Sequence, residues 1–491
     1  MNVKDRTIYC RDNLDILNGI NSHCIDLIYL DPPFNKKKEF TAPIGSSAEG
    51  SSFEDIFRKK DIKEEWLVTI ETDFRDLAEF LHSLKNDQNQ YNFCYLAYMS
   101  IRLIECQRIL KNTGSIYLHC DPTMSHYLKI VMDYVFGEKN FRNEVIWKRA
   151  TTKNLGVKQY PVNHDVILFY SKNSKYTFWP VYIPWTDEQI KEKYTEMDQL
   201  GRYSKSDLTG GSTSYSHSGK EWRGIKPAEG RNWSIPESWP KQIKKPNNWS
   251  ELITQEKLDY IDKVGLIHWS KKKNGKPRFK KYASTSKGKK VEDLMTDIPN
   301  VQAHSKQKTG YPTQKPLALL ERLIQASSNK GDIVLDPFCG CATACLAAEK
   351  LNRRWVGIDK SIEAFEFIKK RLPKEVEKYA NEKVHFSTSP PKRTDKGIDE
   401  KDKRFVYIIS HPLHTSLYKV GIAKDWKKRL NQYQTSDPHR QYQCEFQLET
   451  PHFKDIEKYI HNKFRYNHEW VKGKLKHIIN EMKAYQYDKT N

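Results

Sequence analysis

Four consecutive residues, Asp31, Pro32, Pro33 and Phe34, could do chemistry on a planar amine. They follow an apolar, β-rich run (residues 24–30), and the two prolines must end that strand because they fix φ and lack an amide donor. The lone pair of a ring amine is delocalised, so the nitrogen must become more tetrahedral before it accepts a methyl group. Asp31 could accept one N–H and the Pro32 carbonyl the other, which stabilises the developing charge, while Phe34 stacks on the ring. A plain strand-ending turn is the alternative.

A second candidate group lies in the last third of the chain, where an apolar strand (residues 332–336) leads through a tight turn into a helix (residues 343–351). Open α/β sheets bind ligands at the carboxyl ends of such strands. Gly340 would let the backbone approach a ligand closely, and Asp359, which ends the next strand, could accept both hydroxyls of a ribose. The turn lacks G-x-G-x-x-G, and a carboxylate at Asp336 would repel a pyrophosphate but suits a cationic amino-acid moiety. These features favour S-adenosylmethionine over NAD, and an ordinary βα turn is the alternative.

The chain contains nine cysteines, which is an odd number. Its N-terminal segment is charged and lacks the apolar region of a secretory signal, so we expect reduced thiols in the cytoplasm. Cys339, Cys341 and Cys345 cluster at the second turn, but their spacing does not match a C-x2-C zinc pair. We therefore interpret them as the small residues that a tight turn needs.

Charge and composition restrict the class of partner. The 491 residues include 83 Lys and Arg against 62 Asp and Glu, a formal net charge of +21 that favours a polyanion, nucleic acid first. No apolar stretch approaches the roughly 20 residues of a membrane span, so we expect no membrane insertion. With 27 Tyr, 20 Phe and 12 Trp the chain can build cores, and its length predicts two or three domains.

Composition and periodicity also divide the chain into segments. Alternating strand and helix patterns predict βαβ units and a parallel sheet. The middle of the chain is irregular and rich in Lys and Trp, which indicates an insert, and a Ser-, Gly- and charge-rich run predicts a mobile loop over residues 36–62. The predicted segments are an α/β domain (residues 1–171 and 301–386), the insert (172–300), a linker (387–404) and a small α+β unit (405–491).

Together, the two candidate groups resemble the amino-methylating DNA methyltransferases of the β group. These enzymes look circularly permuted, with the catalytic tetrapeptide first, the cofactor turn last and a target-recognition region between them, which is the order found here. The resemblance covers about residues 5–375 and includes further matches at 114–121, 143–148 and 313–316. It implies a Rossmann-like fold, S-adenosylmethionine as cofactor and double-stranded DNA as partner.

The resemblance also implies roles for individual residues. Asp31 to Phe34 would form the catalytic tetrapeptide. The expected cofactor contacts are Asp12 at the adenine, Thr313 and Lys315 at the methionine carboxylate, Asp336, Phe338 and Gly340 in the cofactor turn, and Asp359 at the ribose. Residues 340–343 read Gly-Cys-Ala-Thr where the family usually has Gly-Ser-Gly-Thr, and they remain small.

Two exocyclic amines fit such a site, adenine N6 and cytosine N4. In the family, a tetrapeptide that begins with Asp and ends with an aromatic residue is found mostly in enzymes that methylate adenine. A tetrapeptide that begins with Ser is found mostly in enzymes that methylate cytosine. The resemblance therefore favours adenine N6. A related tetrapeptide with Asn first serves protein-glutamine and RNA methylation, but the net charge of +21 argues against a protein substrate. Membership would further imply a restriction–modification or epigenetic role, a homodimer and a cognate restriction endonuclease as partner.

The insert is the candidate DNA reader. A base inside a duplex must be flipped out to reach the pocket, so a separate basic surface has to make the remaining contacts. We predict phosphate contacts from a Lys-rich run and guanine contacts from arginines. The candidates are Lys271, Lys272, Lys273 and Arg278 for phosphates, and Arg202, Arg223 and Arg231 for guanines. A solvated basic loop is the alternative.

The C-terminal unit resembles the compact branch of the GIY-YIG superfamily. Two strands are predicted between residues 405 and 422, and Tyr407 on the first strand matches the first tyrosine. Arg429 matches the arginine and Glu457 the metal-ligating glutamate, whereas Lys419 stands in place of the second tyrosine. The resemblance implies Mg²⁺-dependent phosphodiester hydrolysis. The missing tyrosine leaves a DNA-binding or interaction module as the alternative.

All these interpretations share one spatial requirement. The corner that follows residue 30 and the corner at Asp336 must end neighbouring strands and open into one cleft. A DNA-binding protein that keeps the fold without catalysis is the non-enzymatic alternative. The presence of Asp31, Thr313 and Lys315 argues against it.

Overall fold

The computed structural model forms two compact units. Unit 1 comprises Met1–Trp179 and Asp293–Asn491, and unit 2 comprises Pro180–Glu292. The described residues are 2–43, 45–46, 48–50, 52–85, 90–150, 158, 160–211, 217–270, 275–302, 304–305, 307–395, 404–423, 425–435, 437–467 and 470–490.

The strands of the described residues are β1 (Thr7–Cys10), β2 (Ile25–Leu30), β3 (Lys38–Thr41), β4 (Ser52–Asp55), β5 (Leu110–Cys120), β6 (Phe141–Lys148), β7 (His164–Ser171), β8 (Tyr182–Ile183), β9 (Glu196–Asp198), β10 (Gly201–Asp207), β11 (Thr209–Gly211), β12 (Arg231–Trp233), β13 (Ile267–His268), β14 (Arg278–Tyr282), β15 (Lys289–Lys290), β16 (Leu294–Met295), β17 (Ile333–Asp336), β18 (Arg354–Asp359), β19 (His385–Ser387), β20 (Arg404–Ser410), β21 (Leu417–Ala423), β22 (Gln443–Thr450), β23 (Arg465–Asn467) and β24 (Trp470–Lys472).

The α-helices of the same residues are α1 (Asn13–Gly19), α2 (Glu64–Asp73), α3 (Arg75–Ser83), α4 (Gln90–Ile109), α5 (Ser125–Phe136), α6 (Asp187–Lys193), α7 (Thr254–Lys263), α8 (Leu317–Ser327), α9 (Thr343–Lys350), α10 (Ile362–Val376), α11 (Trp426–Thr435), α12 (Phe453–Phe464) and α13 (Leu475–Thr490). Within the described part of the chain, no helix has both the length and the apolar character needed to cross a bilayer.

A nine-stranded, mostly parallel sheet is the centre of unit 1. Its order is β16-β6-β7-β5-β2-β17-β18-β1-β19, and β5, β7 and β6 pair antiparallel. Strand β2 lies beside β17 in parallel register, with Leu27 opposite Val334 and Ile28 opposite Leu335. These strands are apolar along their whole length because helices cover both faces of such a sheet. The predicted α/β architecture is confirmed, and so is the requirement that the two corners end neighbouring strands.

Local capping and burial explain the helices around the sheet. Asp12 caps α1, since its carboxylate accepts the Leu14 N–H at 2.9 Å. Ser361 caps α10 by accepting the Ala364 N–H at 3.1 Å. Helix α4 buries residues on most of its circumference, including Arg102, and packs in the core against α1, α2 and α5. The two caps lie next to the carboxyl ends of β1 and β18, so they help to form that edge of the sheet.

Residues 36–62, which we predicted to be a mobile loop, instead contain a β-hairpin. Strands β3 and β4 pair antiparallel, with Lys38 opposite Asp55 and Thr41 opposite Ser52. The prediction did not foresee that a polar residue of this segment stabilises its fold. Asp55 is buried, and its carboxylate accepts backbone N–H groups from the segment before β3. A high content of Ser and Gly is therefore compatible with regular structure in this segment.

Unit 2 is more regular than the insert that we predicted from its poor periodicity. It contains a four-stranded antiparallel sheet of order β13-β14-β10-β9, and α7 contributes Leu258 and Ile261 to its core. Trp222 and Trp233 are also buried in that core. The hydrophobic periodicity of the sequence did not indicate this sheet, because its strands are short and its core contains tryptophans where aliphatic residues are usual.

The C-terminal segment forms a five-stranded antiparallel sheet of order β22-β20-β21-β24-β23, covered by α11, α12 and α13. It belongs to unit 1, and Arg404 at its start forms an ion pair with Asp73 of α2. The predicted linker is shorter than 387–404, because Ser387 ends β19 and Arg404 begins β20. Lys392 and other residues after β19 hydrogen-bond to the N-terminal part of the chain.

The Tyr407 side chain of β20 lies over Gly421 of β21 in this sheet. A Cβ at this position would lie 2.5 Å from the Tyr407 hydroxyl. We expect Gly421→Ala to destabilise the segment by about 1–3 kcal/mol, because the tyrosine ring must move. Hydrogen–deuterium exchange of the β20 and β21 amides should become faster. Gly211→Ala is the control, since a Cβ there meets nothing within 4 Å; equal exchange in the two variants would contradict the expectation.

Candidate active site

A cavity of about 410 Å³ opens at the carboxyl ends of β2, β17 and β18. Its size lies within the usual range for small-molecule sites. Both predicted corners line it, as do the loop before α8 and the start of α1. The sequence-predicted residues that it brings together are Asp12, Asp31, Pro32, Pro33, Phe34, Thr313, Lys315, Asp336, Phe338, Gly340 and Asp359.

The Asp31 carboxylate forms an ion pair with Lys315. The Lys315 Nζ lies 2.7 Å from Oδ1 and 2.6 Å from Oδ2 of Asp31, and the lysine is buried. The same Nζ lies 5.3 Å from the centroid of the Phe34 ring. The predicted contact of Lys315 with the methionine carboxylate of a cofactor stays a prediction; in the structure the lysine links the loop before α8 to the corner that follows β2.

Asp55, which the sequence reasoning missed, holds the backbone at the end of the tetrapeptide Asp31 to Phe34. Its carboxylate accepts the N–H groups of Phe34 at 3.0 Å, Asn35 at 2.6 Å and Lys36 at 3.0 Å. Burial raises the pKa of Asp55, although these three hydrogen bonds oppose the shift. A single buried carboxylate from the hairpin thus fixes the chain that leaves the tetrapeptide, and no motif in the sequence indicated it.

The turn after β17 is held by hydrogen bonds to two aspartates, Asp336 at the end of β17 and Asp359 at the end of β18. Asp336 accepts the Phe338 N–H at 3.0 Å, and Asp359 accepts the N–H groups of Gly340 and Ser361, both at 2.9 Å. Gly340 has φ +50°, and a Cβ there would lie 3.0 Å from the ring of Tyr311. Glycine is therefore needed at this position for both its backbone conformation and its lack of a side chain.

Asp12 has its position fixed by Arg102. The guanidinium of Arg102 is fully buried and lies 2.8 Å and 3.0 Å from the two carboxylate oxygens of Asp12. Its Nε donates to Asn13, whose own amide donates to the Pro337 carbonyl at 2.9 Å. This chain of bonds connects α1 to the cofactor turn.

The cavity is acidic at its base. Burial raises the pKa of Asp336 well above its usual range, and the charges of Asp31 and Asp359 raise it further. Burial also raises the pKa of Asp359 to about 6, although backbone hydrogen bonds oppose the shift. Carboxylates that repel one another in this way are stabilised by a cationic ligand and exclude a phosphate. The lining therefore fits a ligand with an ammonium and a sulfonium, such as S-adenosylmethionine.

The three cysteines of the turn are buried and free. Burial raises the pKa of the Cys339 and Cys345 thiols well above their usual range, so they stay protonated. Across the described residues, no three His, Cys, Asp or Glu side chains are grouped as metal ligands.

Each of the arginines predicted to contact DNA has a partner within unit 2. The pairs are Arg202 with the Tyr194 carbonyl, Arg223 with Asp259 and Asp262, Arg231 with the Thr209 carbonyl, and Arg278 with Asp207. Arg223 and Arg278 nevertheless expose 48% and 44% of their side chains, which leaves them accessible to a polyanion. Lys271, Lys272 and Lys273 lie outside the described residues.

In the C-terminal segment, Tyr407, Arg429 and Glu457 line one cavity. The Arg429 Nε lies 3.1 Å from the Tyr407 hydroxyl, which is 3.2 Å from the Tyr433 hydroxyl. Lys419 lies on the same face of the sheet as Tyr407, because Ile409 pairs with Lys419 and Tyr407 pairs with Gly421. Its ammonium lies 4.4 Å from the ring centroid of Tyr433, a residue that the sequence reasoning missed.

Comparison with known proteins identifies relatives of the chain. It is 32% identical over 296 residues to the type II methyltransferase M.EcaI of Enterobacter cloacae, which covers 59% of this chain and 61% of that protein. It is 26% identical over 357 residues to the Mod subunit of the type III restriction-modification enzyme StyLTI of Salmonella typhimurium, covering 70% and 49%. The chain thus spans between about half and two thirds of these curated relatives. The solved structure of the PvuII DNA methyltransferase (cytosine-N4-specific) shares 12% identity at a TM-score of 0.37, covering 78% of this chain and 97% of that one.

Two family models match the chain. Residues 404–484 match the T5orf172 domain, so the C-terminal segment carries that domain, while its likeness to GIY-YIG enzymes stays a prediction. The DNA methylase model matches residues 25–370, more than half of the chain, and spans both corners of the cavity. The chain is therefore a member of the DNA methylase family.

Proposed function

We propose that the chain transfers a methyl group from S-adenosylmethionine to an exocyclic amine of double-stranded DNA, adenine N6. The observation that carries the proposal is the shared cavity, in which the tetrapeptide Asp31 to Phe34 and the acidic turn at Asp336 line the same space. Family membership supports the reaction class. The parallel neighbours β2 and β17 support the geometry, because a methyl group can pass only between sites that meet.

In this mechanism the tetrapeptide prepares the amine. The Asp31 carboxylate and the Pro32 carbonyl accept the two N–H groups, so the nitrogen lone pair turns out of the ring and toward the cofactor. Phe34 stacks on the flipped base. The cofactor would supply the methyl group and keep the bonding electron pair on its sulfur, and Asp31 is the adjacent acceptor for the proton that the methylated nitrogen must lose.

The cofactor-binding residues act by holding and orienting. S-adenosylmethionine supplies an electrophilic methyl group when it is bound. Asp359 would accept the ribose hydroxyls, Asp336 and the backbone of the turn at Phe338 and Gly340 would face the amino-acid moiety, and Asp12 would face the adenine. Thr313 and Lys315 would take the carboxylate, and Lys315 lies within reach of Asp31.

Adenine N6 is the proposed target because Asp31 stands first and Phe34 fourth in the tetrapeptide. Cytosine N4 is the alternative amine. Unit 2, with its exposed arginines, would read the DNA sequence. We further propose that the chain forms a homodimer in the cytoplasm. It would serve a restriction–modification system with a cognate endonuclease, or an epigenetic system.

A second candidate function concerns the T5orf172 domain, which we propose to be a GIY-YIG-like nuclease. The hydrogen-bonded group of Tyr407, Arg429 and Tyr433 favours it, because a phenol and a guanidinium together can orient water and hold a phosphate. Glu457 would contribute one carboxylate to Mg²⁺, which would supply the charge that holds a phosphate. A DNA-binding module without cleavage is the alternative.

Asp31→Asn tests the methyl transfer. We expect kcat to fall by at least about a hundredfold, because the variant loses the acceptor charge in the transition state. Transfer of labelled methyl groups to unmethylated DNA measures the rate, and mass spectrometry of the nucleosides should show N6-methyladenine. Asp15→Asn, at an exposed ion pair, is the matched control. Wild-type transfer rates in Asp31→Asn would contradict the assignment, and N4-methylcytosine would move the target to the alternative base.

The raised pKa of Asp359 predicts a pH dependence of cofactor binding. The carboxylate is charged above about pH 6 and accepts a proton below it, so its contribution to binding is lost as the pH falls through that value. We expect the Kd of S-adenosylmethionine to rise roughly tenfold from pH 7 to pH 5, measured by calorimetry. Asp359→Asn should bind more weakly and lose most of this dependence, whereas Asp15→Asn should keep it. A dependence that survives in Asp359→Asn would assign it to another group.

Glu457→Ala tests the nuclease. We expect wild-type protein to nick unmethylated plasmid DNA when Mg²⁺ is present, and the variant to lose that nicking because it lacks the carboxylate that holds the ion. Glu449→Ala, on the exposed side of β22, is the control. The nuclease assignment fails when wild-type protein does not nick, and the site assignment fails when Glu457→Ala still does.

A further inference from the structure

His119 lies directly behind the proposed catalytic corner, which consists of residues 31–34. It is on β5, which pairs with β2, and its side chain is fully buried. The imidazole ring stacks on the Phe34 ring with centroids 6.0 Å apart and planes at 21°. Trp147 meets the imidazole edge-on at 5.8 Å. Stacked and edge-on contacts are the favourable arrangements for aromatic pairs, so these contacts stabilise the relative positions of the three rings.

Both nitrogens of the imidazole have partners. The Tyr29 hydroxyl lies 2.9 Å from Nδ1, and an Asp165 carboxylate oxygen lies 3.1 Å from Nε2. The other oxygen of Asp165 forms an ion pair with Arg149 at 3.0 Å. The ring can therefore neither flip nor slide without breaking a buried hydrogen bond, which carries a large cost.

The protonation state of Asp165 places a proton on one ring nitrogen. Although burial opposes it, the hydrogen bond from His119 and the charges of Lys315 and Arg149 lower the pKa of Asp165, so this carboxylate only accepts. Nε2 therefore carries a proton and donates it to Asp165. Burial raises the pKa of Tyr29 well above its usual range, so the phenol keeps its proton and its hydroxyl hydrogen-bonds to Nδ1.

This arrangement connects both reacting parts of the corner. Tyr29 is two residues before Asp31 on the same strand and also lines the cavity. Phe34 is half-buried and lines the cavity beside it, with its ring against His119. A shift of the imidazole would change the angle between the Phe34 ring and the Asp31 carboxylate, and thus the pose of a base that contacts both.

We propose that His119 is a positioning residue for the target base, which it orients by holding the Phe34 ring in place relative to Asp31. The inference rests on the proposed methyl transfer and deepens it, since it identifies what sets the stacking surface for the flipped base. His119 is not among the residues that line the cavity, and it acts through Phe34. The position of the histidine in residues 114–121, a match to the family, gave no indication of this role.

A double-mutant cycle between His119 and Phe34 tests the inference. His119→Asn should lower kcat/KM for unmethylated DNA by roughly ten- to a hundredfold, because small misplacements at a reacting centre cost that much. The Kd of S-adenosylmethionine should stay within about twofold of wild type, since the cofactor turn is untouched. In a Phe34→Ala background, adding His119→Asn should cause no further loss.

The matched control is His126→Asn, an exposed histidine on α5, which should behave as wild type. When His119→Asn does not fold, Tyr29→Phe, which removes only the hydroxyl, replaces it in the same cycle. Losses that multiply in the double variant, or an unchanged kcat/KM in a folded single variant, overturn the role of His119 alone. Absence of methyl transfer by wild-type protein overturns the proposed function itself, and with it this inference.

Discussion

The parallel pairing of β2 with β17 is the constraint on which the site depends. Parallel strands point their carboxyl ends to the same edge, so Asp31 and Asp336 line one cavity although they are far apart in sequence. An antiparallel or more distant placement of either strand would move one corner to another edge. Apolar residues buried on these strands, such as Leu27 and Leu335, thus hold the two aspartates at one cavity by fixing the strands that precede them.

Charge determines what the cavity accepts. Three carboxylates, those of Asp31, Asp336 and Asp359, face a space that holds one buried cation, Lys315, among its described lining residues. Such a site excludes the diphosphate of a dinucleotide, which this sheet architecture binds elsewhere with glycine-rich turns. The same sheet can therefore serve a different cofactor through the side chains at its strand ends, without a change in topology.

Local pattern was enough to predict the elements that position the site, and not enough to predict the contacts within it. Buried strands followed by Asp31 or Asp336 are readable because burial on both faces leaves a continuous apolar run. Asp55 and His119 were missed because each acts through a partner that is distant in sequence or on another strand. The hairpin of residues 38–55 and the sheet of unit 2 were missed because short, half-exposed strands carry little periodicity.

The place of β1 in the sheet has a consequence for how the protein is made. Strand β1 is inserted between β18 and β19, so the edge that holds Asp12 and Asp359 is completed by residues from both ends of the segment that forms the sheet. A nascent chain cannot close this sheet until the ribosome has passed residue 387, where β19 ends. At roughly 5–20 residues per second, translation from β1 to the end of β19 takes about 20–80 s. During this interval the emerging polypeptide carries the strands of the sheet without their full set of neighbours.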